Sequence, residues 1–295
     1  MSPGAVVQAL LEGLIDYAGL FPPASLPMTD AVRNYAGYRQ GAHAWVLGRF
    51  VVPVARLDEL TDCAAPVLGH GAPWRLSALG GAPDVDAIAG FNARNGTRAL
   101  VDTVEAKAQT VEEIEALTSC VEPLGAGGAV YVETPIACDP DDLVRAIKRC
   151  GLRAKVRTGG VTTGAFPTSA ELVRFLRSCA VHGVAFKATA GLHHALRGTY
   201  PLTDDPRAEC GTMFGFLNVF LAAAVARSSP GTLDATALLE EGDARALAFD
   251  EGGVTWRGRR LDADAVRAAR AEFATSFGSC SIAEPLQELG AMGLL

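Results

Sequence analysis

Short apolar runs with β-type alternation or continuous burial recur along the chain, and each is followed by a longer run whose apolar residues fall three and four apart. WVLGRFVVP (45–53) precedes ARLDELTDCA, WRLSALGG (74–81) precedes DVDAIAGFNARNG, and ALVDTVEA (99–106) precedes TVEEIEALTSCV. GAVYVETPI (128–136) then precedes DPDDLVRAIKRCG, RAKVRTGG (153–160) precedes TSAELVRFLRSCAVHG, and VAFKATAGL (184–192) precedes a later helical region. Six strand-then-helix units in series predict a parallel sheet. LIDYAGLF (14–21), after an initial helix, predicts a first strand, and FATSFGSCS (273–281), before the helical tail IAEPLQELGAMGLL, predicts a last one. Eight strands are the number that closes a (β/α)8 TIM barrel, so the expected fold is one α/β barrel domain over 1–295.

Helix starts are marked by Thr110 with Glu113, by Asp139, and by Thr168 or Ser169. Residues 195–272 depart from the repeat. They hold a proline- and acid-rich loop (RGTYPLTDDPRAECG), an apolar helix (MFGFLNVFLAAAVARSS) and a hairpin (ALAFDEGGVTWRGRRL) turning at Glu251–Gly253. This stretch is expected to be an insertion between strands seven and eight, lid-like or a contact for a second copy of the chain.

The chain is 49% hydrophobic and 20% charged, with a net charge of −7. That balance fits a globular enzyme with a small-molecule partner and argues against nucleic acid or a basic membrane contact. The amino terminus has no basic region ahead of its apolar residues, and no uncharged run approaches a membrane span. Seven scattered cysteines without a C-x-x-C pair suit free thiols, and the expected location is cytoplasmic.

Of 26 basic residues only four are lysines: Lys107, Lys148, Lys155 and Lys187. An ammonium can lose its proton and a guanidinium effectively cannot, so a lysine kept in an arginine-biased chain is informative. Lys155 and Lys187 each sit late in a predicted strand, at the end where barrels place their active sites. Asp16, Asp102, Glu105, Glu133, Arg157, Ser279 and Ser281 share that position. Two lysines on adjacent strands repel one another in a low-dielectric pocket, which favours one neutral, nucleophilic amine beside one cation.

These residues resemble deoxyribose-phosphate aldolase and its relatives, class I aldolases on an eight-stranded barrel. LIDYAGLFPPAS is similar to that family's opening L-I-D-H-T-L-L-K-P-x-A-T, ALVDTVEA to E-V-D-x-V, and AVYVETPI to a fifth strand ending in E-T. KVRTGG resembles K-T-S-T-G-F, which carries the Schiff-base lysine; VAFKATAGLH resembles V-K-A-S-G-G-I-R, which carries a second lysine; and FGSCS resembles G-T-S-S. The resemblance covers about residues 12–194 and 273–290. It implies that Lys155 forms an imine with a carbonyl substrate, Lys187 lowers its pKa, Asp102 positions Lys187 and relays a proton, and Asp16 completes the charge network. Glu105 points to the opposite face from Asp102 in a regular strand and serves instead if the strand bulges.

The substrate contacts then fall on Glu133, Arg157, Thr158, Thr189, Gly191, His193, Ser279 and Ser281. Where the family has paired glycines and an arginine for phosphate, this chain has Ala190, Gly191 and His193; Arg157 replaces a small hydroxyl and introduces a cation suited to a carboxylate. The expected substrate is therefore an acid or a longer sugar, and no cofactor and no metal are expected. A different reading, a metal-dependent lyase or isomerase, uses His193 or His194 with Glu133 and Asp16. A third is a non-catalytic barrel that binds a metabolite.

Overall fold

A computed structural model describes residues 4–68, 71–203, 205–228 and 233–295. Eight parallel strands close into a barrel: β1 (Ile15–Tyr17), β2 (Leu47–Pro53), β3 (Trp74–Leu79), β4 (Ala99–Lys107), β5 (Ala129–Glu133), β6 (Arg153–Arg157), β7 (Phe186–Thr189) and, after an interval, β13 (Ala274–Ser279). The strands run round the barrel in chain order, and β13 closes it by pairing with both β7 and β1. All eight predicted strands are present. The first is the most shortened, because the chain turns immediately after Tyr17.

The first helix, α1 (Ala5–Leu11), precedes β1. A helix follows each barrel strand: α2 (Met28–Gln40), α3 (Leu57–Ala64), α4 (Val85–Asn95), α5 (Val111–Ala116), α6 (Asp141–Arg149), α7 (Ser169–His182), α8 (Phe216–Arg227) and, after β13, α11 (Ala283–Ala291). Two of the predicted start signals cap their helices reciprocally. The Thr110 hydroxyl accepts from the Glu113 N–H at 3.2 Å, and Thr168 does the same for Glu171 at 3.2 Å. Asp139 instead accepts from the Asp141 N–H just ahead of α6.

The stretch 195–272 is two separate additions on either side of α8. Between β7 and α8, on the carboxyl side of the barrel, lies a two-stranded hairpin of β8 (Gly198–Pro201) and β9 (Cys210–Met213). Between α8 and β13 lie α9 (Ala235–Leu239), a three-stranded antiparallel sheet of β10 (Leu247–Asp250), β11 (Gly253–Trp256) and β12 (Arg259–Asp262), and α10 (Ala263–Glu272). The expected hairpin thus gains a third strand, because the chain reverses again at Arg257 and Gly258, both left-handed at φ 48° and 76°.

The apolar stretch in this region is a barrel helix, α8. Nine consecutive residues, Phe216 to Ala224, are buried, with Phe216 stacked on Phe277 of β13 at 5.2 Å. All-round burial explains its lack of a polar face. Asn218, fully buried within it, holds both additions: its Oδ1 accepts from the Arg197 N–H at 2.8 Å, and its amide donates to the carbonyls of Leu238 and Glu241 at 2.8 and 2.9 Å. On the opposite flank Tyr17, Tyr35, Phe50 and Trp74 form an aromatic cluster of stacked and edge-to-face pairs that seats α2 on β1–β3. No described helix is long and apolar enough to cross a membrane.

Candidate active site

Alternation along β6 turns Lys155 into the barrel while Ala154 and Val156 are buried against the helix layer, and on β7 it does the same for Lys187 between Phe186 and Ala188. Lys155 and Lys187 are direct partners in the β6–β7 register. Both are almost wholly buried, at 5% and 1% exposure. Buried ammonium groups require counter-charges, and three carboxylates supply them. Lys187 Nζ lies 2.6 Å from Asp16 Oδ2 and 2.5 Å from Glu105 Oε1; Lys155 Nζ lies 2.8 Å from Glu105 Oε2 and 2.9 Å from Glu133 Oε2. Glu105 thus joins the two lysines, one through each oxygen.

Glu105 faces inward because β4 bulges. In the β3–β4 register Leu76 pairs with Val101 but Ser77 pairs with Thr103, so Asp102 is the extra residue. Asp102 lies apart from the lysines in a second cluster: Arg49 Nε donates to its Oδ1 at 2.5 Å and Arg75 Nε to its Oδ2 at 2.6 Å. Its carboxyl is held below the usual range, because the two arginines outweigh a burial effect that alone would raise it. Lys187 therefore meets Glu105, not the Asp102 that the resemblance implies.

Several partners of this network carry no motif signal. Ser77 Oγ donates to Glu105 Oε1 at 2.6 Å, Ser276 Oγ to Asp16 Oδ2 at 2.8 Å, and the Arg49 N–H to Asp16 Oδ1 at 2.7 Å. A Cβ on Gly48 would fall on Asp16 Oδ1, so the glycine is what lets the carboxylate reach the backbone of β2. The only sequence trace of the serines is a hydroxyl set in the middle of an otherwise apolar strand, as in RLSAL and ATSFG.

Electrostatically, burial disfavours charge on Lys187, but Asp16 and Glu105 outweigh it and hold its pKa well above the ordinary lysine range. The same contest at Glu105 also ends in favour of the charged form. Burial raises it, Lys155 and Lys187 lower it further, and the carboxyl stays ionised far below its usual range. Glu133 is also held low, against burial, by Lys155 and then Arg157. Asp16 and Glu105 accordingly favour the charged form of Lys187.

A cavity of about 260 Å³ opens above this layer at the carboxyl ends of the strands. Lys155, Glu105, Arg157, Thr189, Gly191 and His193 border it, beside apolar walls from Phe21, Pro22, Val51, Leu79 and Val161. Arg157 Nε reaches Glu133 Oε1 at 3.1 Å, and its side chain is 45% exposed. Glu133 lies between Lys155 and Arg157; its Oε2 forms an ion pair with Lys155 but lies outside hydrogen-bonding angles.

Thr158 is fully buried, and its hydroxyl donates to the Ala190 carbonyl at 2.6 Å, tying β6 to the end of β7. Ala190 and Gly191 are both left-handed, at φ 62° and 73°. A Cβ on Gly191 would come 2.8 Å from Gly159 Cα, so these glycines serve close packing of two rim loops. Ser279 is buried, its Oγ 3.4 Å from the Ser281 N–H.

Ser281 borders a second cavity, also about 260 Å³, which shares Pro23, His193 and Cys280 with the first. Residues of β8, β9 and their connection line its outer side. His194 lies here, stacked on Tyr200 at 3.4 Å, with its Nδ1 2.6 Å from Glu288 Oε1. His193 Nδ1 lies 3.6 Å from Cys280 Sγ. The two histidines are engaged with these neighbours, while Asp16 and Glu133 are engaged with lysines and arginine. Among the described residues no three His, Cys, Asp or Glu side chains converge on a point that could hold a metal ion.

The fold is a closed parallel α/β barrel whose ionisable side chains converge beneath a cavity at the carboxyl rim. No family model matches the chain, and no curated protein matches it.

Proposed function

We propose that the protein is a class I, aldolase-like carbon–carbon lyase that acts on a small carbonyl or sugar-like substrate through an imine on Lys155. One observation carries this reading: of the two buried lysines, Lys155 borders the cavity, while Lys187 is pinned beneath it by two carboxylates. The motif-by-motif resemblance to class I aldolases supports the same assignment.

In the proposed cycle the Lys155 ammonium, which borders the cavity, gives up a proton to solvent there. The neutral nitrogen then bonds to the substrate carbonyl carbon. The carbonyl oxygen departs as water, taking one proton from the nitrogen and one from solvent, and leaves a protonated imine. The bond between the carbons α and β to the imine carbon breaks, its electron pair passing into an enamine as the positive nitrogen is neutralised. The β-hydroxyl passes its proton to solvent as its carbon leaves as an aldehyde, and solvent supplies the proton that the α-carbon then takes up. Protonation of the enamine at the α-carbon and addition of water then free the second product and the amine.

Glu105, kept anionic by Lys187, sits against the nitrogen where the iminium charge develops. Lys187 in this scheme positions and polarises Glu105.

Reductive trapping tests the proposal. Incubation with a panel of aldehydes and ketones in the presence of borohydride is expected to add one reduced adduct at Lys155. With only four lysines in the chain, peptide mapping locates it unambiguously. No adduct with any carbonyl, or an adduct that persists in Lys155→Ala, refutes it.

A further inference from the structure

Lys155 and Arg157 share one carboxylate. Lys155 Nζ is 2.9 Å from Glu133 Oε2, and Arg157 Nε is 3.1 Å from Glu133 Oε1. Amine and guanidinium therefore lie within about 8 Å of each other, given the span of a carboxylate. Among the described residues Arg157 meets only Glu133, and only through Nε, so both of its terminal NH2 groups remain for a ligand. The cavity wall around them is largely apolar, and among the described residues Arg157, Lys155 and Glu105 are the formally charged ones that border it.

A fork of two N–H donors on a partly exposed guanidinium beside apolar walls matches a planar carboxylate, which accepts two parallel hydrogen bonds. The short separation from the amine also limits where the carboxylate sits in the ligand. If the carbonyl carbon is at Lys155, a carboxylate attached directly to that carbon reaches Arg157. A phosphate carried at the far end of a sugar chain would lie beyond it, and as a dianion it would meet one guanidinium next to Glu133.

We infer that the cavity takes a 2-oxo acid, with the carboxylate on the terminal nitrogens of Arg157 and the adjacent carbonyl carbon presented to Lys155. This rests on the reading of Lys155 as the imine-forming amine, and deepens it by fixing the substrate class. Arg157 supplies both binding and orientation: it turns the carbonyl carbon toward the amine, and it replaces the water that the carboxylate loses on entering an apolar cavity.

The test compares pyruvate with acetone, which has the same ketone with a methyl group in place of the carboxylate. Each is trapped with borohydride on the full chain and followed by intact mass. Pyruvate is expected to label at least about tenfold faster, the worth of one charge-assisted bidentate contact. In Arg157→Gln the pyruvate-to-acetone ratio is expected to fall to near one. Lactate, which cannot form an imine, is expected to protect the wild-type protein from pyruvate more strongly than inorganic phosphate does.

Equal labelling by the two ketones, a preference that survives Arg157→Gln, or stronger protection by phosphate each overturns the inference. Calorimetric titration with lactate separates it from the imine chemistry. If no ketone is trapped but lactate binds the wild type and not Arg157→Gln, the carboxylate site stands and the Lys155 reading falls. If lactate does not bind the wild type, the carboxylate site falls whatever the trapping shows.

Discussion

Replacing Lys187 with methionine tests the electrostatic account of the barrel interior independently of any reaction. The change preserves much of the side chain's length and apolar stem but removes the charge that Asp16 and Glu105 both face at 2.6 and 2.5 Å. Asp16 would keep the Ser276 hydroxyl and the Arg49 N–H, and Glu105 would keep Lys155 and Ser77. Even so, Asp16 would be left without a lysine, and Glu105 and Glu133 would share Lys155. Removing one partner of a buried pair costs about 3–5 kcal/mol, which corresponds to a fall in melting temperature of roughly 10 °C for a chain of this size.

The loss should depend on pH in a defined direction. In the wild type Glu105 is ionised far below its usual range, so its contribution is complete above the unfolded-state carboxyl pKa and lost as the pH falls through and below it. Lys187, raised above its usual range, contributes fully below the unfolded-state lysine pKa and is lost only as the pH rises through its folded value. Between about pH 5 and 8 the wild type is therefore nearly flat with respect to this pair. Lys187→Met removes one positive charge from the cluster and favours uptake of a proton, so the deficit relative to wild type should shrink from pH 8 to pH 5. Urea denaturation followed by circular dichroism across that range measures both quantities. The double variant Lys187→Met/Glu105→Gln should recover at least half of the loss. A single variant within about 1 kcal/mol of wild type at pH 7.5, well below the cost of an orphaned buried charge, or a deficit independent of pH, would refute the reasoning.

Two further substitutions separate the polar clusters and the rim. Asp102→Asn removes charge-assisted bonds to Arg49 and Arg75 and is expected to cost about 1.5–3 kcal/mol in denaturant titration, yet to leave the rate of reductive trapping at Lys155 within a few-fold; abolition of trapping would show that Asp102 acts on the lysines after all. Gly191→Ala forces a side chain onto a left-handed residue beside Gly159 and should cost about 1–3 kcal/mol and slow trapping, with unchanged thermal stability as the contrary result.

The barrel was legible because strand-then-helix alternation is a local signal repeated many times, and because two lysines in an arginine-rich chain stand out by residue type alone. The bulge in β4 is different in kind. VDTVEAK reads as a regular strand that places Asp102 and Glu105 on opposite faces, and only pairing with β3 reveals that one residue is skipped. Ser77, Ser276, Arg49 and Gly48 were invisible for the same reason: each matters through a neighbour distant in the chain, and no periodicity reports on that. The segment 195–272 resisted because its helix, buried all round, lacks the amphipathic stripe that marks the other barrel helices.

The interior network takes one residue from every barrel strand: Asp16, Arg49, Ser77, Glu105, Glu133, Lys155, Lys187 and Ser276 in turn. Its signs are not evenly divided along the polypeptide. The first four strands bring Asp16, Asp102 and Glu105 against Arg49 and Arg75, whereas the last four bring Lys155, Lys187 and Arg157 against Glu133. Either half alone would bury unmatched charge of one sign, and each half carries what the other lacks. A half-formed barrel is therefore electrostatically incomplete. The two halves should be mutually dependent for folding, and, expressed as fragments, they should associate in a manner weakened by salt.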